Sequence, residues 1–290
     1  MAEVKGLNHA YLLIKNGLID SFGPDGECPS HELEEFDCGG RMVIPSFVDS
    51  HTHAVFAESR SSEFQMRLEG KSYQEIAAAG GGILNSAAKL ATLSEEELFN
   101  PAVLRIQEMV KGGTGALEIK SGYGLSTDAE LKMLRVIKKL KANAGIPIRA
   151  TFLGAHAVPL EYKEDRQEYV NLVCNEMLPL IAREGLADYI DIFCEEGYFD
   201  LIDLTRIIQA GQNYKLRAKV HVNQFTSLGA VPLACKLGAL SVDHLEVMTE
   251  TDFKALKNSH TMAVALPLCS LFLDIPFAPA RQLIDMGAAF

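Results

Sequence analysis

The 290-residue chain has no apolar run approaching the ~18–20 residues that a membrane helix needs. Its opening, Met1-Ala2-Glu3-Val4-Lys5, lacks the basic stretch and apolar centre of a secretory signal. Neither membrane insertion nor secretion is expected. Positive charge is in deficit, with 27 Lys and Arg against 38 Asp and Glu for a formal net charge of −11. That balance opposes sequence-independent attraction to nucleic acid or anionic lipid, so a small molecule is the expected partner. The six cysteines, Cys28, Cys38, Cys174, Cys194, Cys235 and Cys269, include no C-x-x-C pair. A zinc ribbon, a redox motif and a dense disulfide framework are therefore disfavoured, and the thiols fit a reducing cytoplasm.

What is present is the balance of a globular protein, 48% hydrophobic and 22% charged, with length for one large domain or two modest ones. Residues 10–19 (AYLLIKNGLI) set apolar runs around an Asn-Gly turn signal, predicting two small strands in a partial β-rich accessory domain over 1–45. From residue 41, short apolar or β-branched runs alternate with helical stretches. Seven strands are predicted, at 42–48, 116–119, 148–153, 189–193, 218–222, 240–242 and 262–266. Helices are predicted between them at 128–143, 167–183, 201–209, 230–237, 250–257 and 280–286. Ser94-Glu95-Glu96-Glu97 and Thr127-Asp128-Ala129-Glu130 both read as capping boxes. In the 128–143 stretch Leu131, Leu134, Ile137 and Leu140 share one face, with Lys132, Lys138 and Lys139 turned away, as in a helix covering a sheet.

Such a chain can close as a (β/α)8 barrel or stay open as a doubly wound sheet. An open nucleotide-binding sheet calls for a glycine loop after its first strand, where Phe47-Val48-Asp49-Ser50-His51-Thr52-His53 stands instead. Gly80-Gly81-Gly82 lies within or after a predicted helical stretch at 73–79, the wrong context for a dinucleotide fingerprint. The barrel is also favoured by where ionisable residues fall: His51, His53, Glu118, Lys120, His156, Glu195, Glu196, His221 and His244 sit at or just beyond the strand ends. In a barrel those ends converge on one rim. His51 and His53, two apart on an extended strand, face the same way and can grip one metal ion, with Asp49 as a supporting partner. A third nitrogen from His221 would leave room for an activated water, as catalytic sites of the zinc type require. His9, His31 and His260 receive no role.

The segment Pro45-Ser46-Phe47-Val48-Asp49-Ser50-His51-Thr52-His53 resembles the metal-binding first strand of the amidohydrolase superfamily. Within it, residues 63–84 (EFQMRLEGKSYQEIAAAGGGIL), 118–125 (EIKSGYGL), 151–159 (TFLGAHAVP), 221–225 and 241–244 resemble the imidazolonepropionase family, from about Tyr11 to the end of the chain. The resemblance implies a cytoplasmic enzyme of histidine degradation that opens 4-imidazolone-5-propanoate with water to give N-formimidoyl-L-glutamate. It implies one zinc or iron ion on His51, His53 and His221, and Arg60 and Tyr123 on the substrate carboxylate. It further implies His156 and Gln224 against the ring, with Gln224 and His244 catalytic and His244 beside the activated water. A homodimer is implied for the intact protein.

From the residues alone each assignment keeps a plainer rival. Arg60, among serines and Glu63, reads equally as a solvated charge, Tyr123 as a turn plug, and His156 as a core histidine bonded to backbone. Glu195 and Glu196 read as supporting residues, and Lys120 as the ion-pair partner of Glu118 rather than a carbamylated metal bridge. The superfamily pattern also asks for an Asp ending an eighth strand, whereas Gly287-Ala288-Ala289-Phe290 reads only as that strand's opening. The expectation is a chain shortened at both ends and inactive, or nearly so, on its own. The functional rivals are another mononuclear amidohydrolase, whether cyclic amidase or deaminase, and an inactive metal-binding fragment.

Overall fold

The computed structural model describes residues 6–71, 75 and 81–290. Apart from Glu75, the helical stretch expected at 73–79 lies outside the described residues. The chain divides into two compact units, Met1–Pro45 and Ser46–Phe290.

In the first unit, β1 (Ala10–Lys15) and β2 (Leu18–Pro24) form an antiparallel hairpin with a bulge between Leu13 and Ile14. The turn between them is Asn16-Gly17, with φ of 53° and 75°. Positive φ at both central residues is the two-residue turn whose twist matches the flanking strands, and Asn-Gly is its favoured pair.

In the second unit, seven strands pair in sequence order and all in parallel: β3 (Phe47–Thr52), β4 (Thr114–Lys120), β5 (Ile148–Ala155), β6 (Tyr189–Cys194), β7 (Arg217–Val222), β8 (Ser241–His244) and β9 (Met262–Val264). The sheet curls until β3 faces β8, where His51 Nδ1 lies 2.6 Å from Asp243 Oδ2. This is a (β/α)-barrel arrangement with seven strands. Alternation along the strands separates two environments. Leu117, Ile119, Ile190, Ile192, Val220, Val222 and Val242 join the apolar core with the helices. Between them Glu118, Lys120, Asp191, Lys219, His221, Ser241 and Asp243 are buried as well, so the opposite face of the same strands is polar.

The helix Thr127–Asn143 buries Leu131, Leu134, Ile137 and Leu140 and leaves Lys138 and Lys139 exposed. Lys132 is spent differently. Its Nζ donates to the carbonyls of Leu90, Ala91 and Leu93 at 3.1, 3.0 and 2.6 Å, satisfying orphan acceptors around the end of the helix Gly82–Thr92. Gly81, in the middle of the triple glycine, is the N-cap of that helix.

Three expectations need correction. The first barrel strand starts at Phe47 rather than at residue 42, and its apolar opening is not core: Phe47 and Val48 are 61% and 69% exposed. Among the described strands β3 pairs with β4 alone, so its apolar pattern lacks the cover that a central strand has. Thr127 is not a helix cap. Ser126 takes that place by accepting from Ala129 N, and the Glu130 carboxylate turns to the preceding loop instead. The helix expected at 167–183 is observed as Arg166–Leu172 and Leu178–Glu184, joined by one π-helical turn at Val173–Met177.

The capping box at Ser94 is present, opening the helix Glu95–Lys111. At the other end of the chain Ala263 N of β9 donates to Ala289 O at 2.8 Å, so the segment expected to open an eighth strand does lie along β9. No helix among the described residues is long and apolar enough to cross a membrane.

Candidate metal centre

His51 lies within β3, His53 just past it, His221 in β7, and the three offer nitrogen atoms all within 4.8 Å of one another. The His51 and His221 ring centroids are 4.4 Å apart, His51 and His53 5.4 Å, and His53 and His221 5.7 Å. Four of the other expected residues gather around this trio. His156 stacks on His53 at 5.2 Å with an interplanar angle of 15°. Tyr123 lies 5.3 Å from His156 and 5.4 Å from His53, and the Arg60 guanidinium carbon is 5.5 Å from the Tyr123 centroid. On the far side His244 is 5.1 Å from His221 and 5.5 Å from His51.

Each is put there by local backbone. Gly122, at φ 106°, turns the chain after β4 so that its carbonyl meets His156 Nδ1 at 3.0 Å, and a Cβ at this position would stand 3.0 Å from that same nitrogen. His244 and Leu245 both have positive φ, 91° and 68°, an uncommon conformation for residues with side chains and one that gathers at functional sites. Gln224 is held through its backbone, its N–H and that of Phe225 donating to Glu195 Oε2 at 3.1 and 3.0 Å. Glu195 thus supports this loop, and Gln224 Nε2 is left 3.6 Å from Cys269 Sγ.

Comparison with known proteins gives the same direction. No protein-family model matches the chain. The imidazolonepropionase of Flavobacterium psychrophilum is 53% identical over 288 residues, covering 99% of this chain and 70% of that protein. That of Desulfotalea psychrophila is 42% identical over 283 residues, covering 96% and 68%. The chain belongs to the imidazolonepropionase family. Among solved structures, a 5-methylcytosine deaminase from Klebsiella pneumoniae liganded with phosphonocytosine superposes with a TM-score of 0.72 at 16% identity, covering 98% of this chain and 71% of that one. A guanine deaminase from C. acetobutylicum with bound guanine gives a TM-score of 0.60 at 13% identity, covering 97% and 68%. At such identities the likeness is one of fold, the barrel shared by amidohydrolases. Its membership of the imidazolonepropionase family, shown by the curated relatives, makes the chain a hydrolase.

The imidazolonepropionase-family trio fits a metal ion on its own chemistry. His51 Nε2, His53 Nδ1 and His221 Nε2 are buried without a hydrogen-bond partner among the described residues, which is costly for polar atoms unless something else binds them. All three rings are held well below the ordinary histidine range, first by burial. The charge of Lys120 and the neighbouring imidazoles act in the same direction. Neutral imidazole is the form that ligates zinc or iron. Burial likewise brings His156 down to about 4, against the lift from its Gly122 carbonyl contact and with help from Arg60. His244 is the exception: burial alone would lower it, but the neighbouring Cys269 and Glu246 side chains, the latter 3.7 Å from Nδ1, outweigh that and raise it to about 9.

Below the trio lies a set of charges that the sequence reading only partly found. Lys120 Nζ is fully buried, donating to Glu118 Oε1 at 2.9 Å and Asp191 Oδ2 at 2.8 Å. The ion pair with Glu118 was expected, the one with Asp191 was not. Burial works against the Lys120 charge, but Asp191, Glu118 and Asp243 prevail and hold its pKa above the usual lysine value. Lys219 Nζ lies 3.4 Å from Asp243 Oδ2, and Asp191 Oδ2 is 2.9 Å from His221 Nδ1, off the line of a hydrogen bond. Asp49, expected to support His51, accepts among the described residues only the His51 backbone N–H, at 3.3 Å. The residues missed were Asp191, Lys219, Asp243, Glu246 and Cys269, together with Phe193, whose ring lies 6.0 Å from His221. A signal was available for the first three, since each stands on the inward phase of a strand whose end had been recognised.

Proposed function

We propose that this site opens the ring amide of 4-imidazolone-5-propanoate with water, giving N-formimidoyl-L-glutamate, in the cytoplasmic breakdown of histidine. The observation that carries the reading is the convergence, on one barrel rim, of three neutral imidazoles with Arg60, Tyr123, His156 and His244. His51, His53 and His221 hold one zinc or iron ion. Such an ion, when bound, activates water by lowering its pKa from ~15.7 towards ~7 and polarises a carbonyl.

The remaining work belongs to the side chains. Arg60 Nη2 is buried with no partner among the described residues, and a guanidinium takes a carboxylate by paired hydrogen bonds. Arg60 with Tyr123 therefore holds the propionate end. His156, donating from Nδ1 to the Gly122 carbonyl, keeps its other nitrogen as an acceptor for a ring N–H. Gln224 offers donor and acceptor to the ring amide. His244, whose pKa is raised beside Glu246 and Cys269, donates a ring N–H to the amide oxygen as negative charge develops there.

Equilibrium binding to the zinc-loaded chain tests this reading. Saturable binding of 4-imidazolone-5-propanoate, weakened about tenfold or more by Arg60→Ala, is expected, with no binding of guanine or hydantoin. Binding of guanine or hydantoin in preference to the imidazolone would replace this reading with a deaminase or another cyclic amidase.

A further inference from the structure

The carboxylate nearest any of the three imidazoles comes from neither flank of the His51-Thr52-His53 motif but from across the barrel. Asp243 Oδ2 lies 2.6 Å from His51 Nδ1, and the two side chains are 0% and 3% exposed. We propose that Asp243 is a positioning residue of the metal centre: it accepts the Nδ1–H of His51 and thereby fixes Nε2 as the atom that this ligand presents to an ion. The inference rests on the metal-site reading above and adds to it the device that sets one ligand's tautomer.

Two features make Asp243 suited to holding a ring. First, its oxygens are already committed. Oδ1 accepts from Ser241 Oγ at 2.5 Å, while Oδ2 has Lys219 Nζ at 3.4 Å and Lys120 Nζ at 3.9 Å. Lys219 in turn donates to Ser241 Oγ at 2.6 Å, and Lys120 is tied to Glu118 and Asp191. A carboxylate clamped by two ammonium groups and a hydroxyl cannot swing toward the rim to become a ligand itself. Second, the His51 ring is left with one buried nitrogen that has no partner, Nε2. An imidazole that donates from Nδ1 to a carboxylate carries its lone pair on Nε2, and such a hydrogen bond both orients the ring and raises its basicity as a ligand.

The clamp spans the barrel. His51 is on β3, Glu118 and Lys120 on β4, Asp191 on β6, Lys219 on β7, and Ser241 and Asp243 on β8. The edge strand β3 is thus pinned to β8, the strand next to the other edge, by the His51–Asp243 bond, and ligand geometry is coupled to the closure of the sheet around the site.

Zinc affinity of the purified apo chain, measured by competition with a chromogenic chelator, provides the test. Asp243→Asn is expected to keep one zinc per chain but to bind it about 10–100-fold more weakly. Asp188→Asn removes an ionised, hydrogen-bonded carboxylate remote from the site and should lower stability without changing zinc affinity. An Asp243→Asn chain that binds zinc within about twofold of wild type overturns the proposal. Should that variant fail to fold, nitrogen NMR of the wild-type imidazoles decides: His51 protonated at Nδ1 supports the proposal, and His51 protonated at Nε2 overturns it. Failure of the wild-type chain to take up zinc would remove the metal reading and this inference together, whereas normal uptake with an indifferent Asp243→Asn removes the inference alone.

Discussion

Glu130 is fully buried, and its Oε1 accepts the backbone N–H groups of Gly124 at 2.7 Å and Leu125 at 3.0 Å, while Oε2 takes that of Gly122 at 3.1 Å. These bonds shape the loop that carries Tyr123 and points the Gly122 carbonyl at His156. Burial raises the Glu130 pKa and the bonds oppose that rise. Truncation strands several donors, each costing roughly 1–3 kcal/mol when buried and unpaired. Glu130→Ala is expected to lose about 2–4 kcal/mol in urea denaturation, and a loss below about 0.5 kcal/mol would show that water replaces the carboxylate there. His51→Ala has a different signature. It removes one of the three nitrogens of the proposed metal site at the meeting point of the rings, so metal analysis after dialysis should find stoichiometric zinc or iron in the wild-type chain and little in the variant.

At the scale of elements, the two capping boxes read from sequence came out differently. Ser94 accepts from Glu97 N at 3.2 Å and Glu97 Oε2 accepts from Ser94 N at 2.8 Å, so local pattern and structure agree. At the second site Glu130 is drawn into the core, leaving Ser126 to cap the helix alone. A cap of this kind contributes about 1 kcal/mol. Ser94→Ala and Ser126→Ala should each lower stability by about that much, with Thr127→Ala within about 0.5 kcal/mol of wild type; equal losses at Ser126 and Thr127 would contradict the assignment. Asn16-Gly17 and the strand order were legible because turn chemistry and apolar periodicity are local properties. The true start of β3 was not, because Met42, Val43 and Ile44 have a buried strand's composition without its partners.

Over the whole molecule, the site's histidines set a pH dependence with two limbs. His51, His53, His156 and His221 have native pKa values below the ordinary 6.5, through burial first. Between those values and 6.5 the unfolded chain binds more protons, so their contribution to stability is full above about 6.5 and is lost as pH falls. His244, raised to about 9, runs the other way: its contribution is full below about 6.5 and is lost as pH rises through about 9. Thermal unfolding of the apo chain is therefore expected to peak near pH 6.5 and to fall more steeply on the acid side, where four groups act against one. A midpoint that is flat or falls from pH 5 to pH 6.5 would show that these rings are not neutral in the native state, and one that keeps climbing to pH 9 would show that His244 is not raised.

By itself the sequence determined the alternation of strand and helix, the Asn-Gly hairpin, and the rim positions of His51, His53, His156, His221 and His244. Each of these follows from periodicity, turn residues or a residue type at a strand end, which neighbours along the chain are enough to define. Only the tertiary structure decided which carboxylate serves which imidazole. Asp49, two residues from His51, was the local candidate, yet Asp243, 192 residues away, makes the bond. Closure of the sheet sets that choice, because it brings the inward faces of β3 and β8 together and lets Lys120 and Lys219 neutralise a charge that neither strand could bury alone.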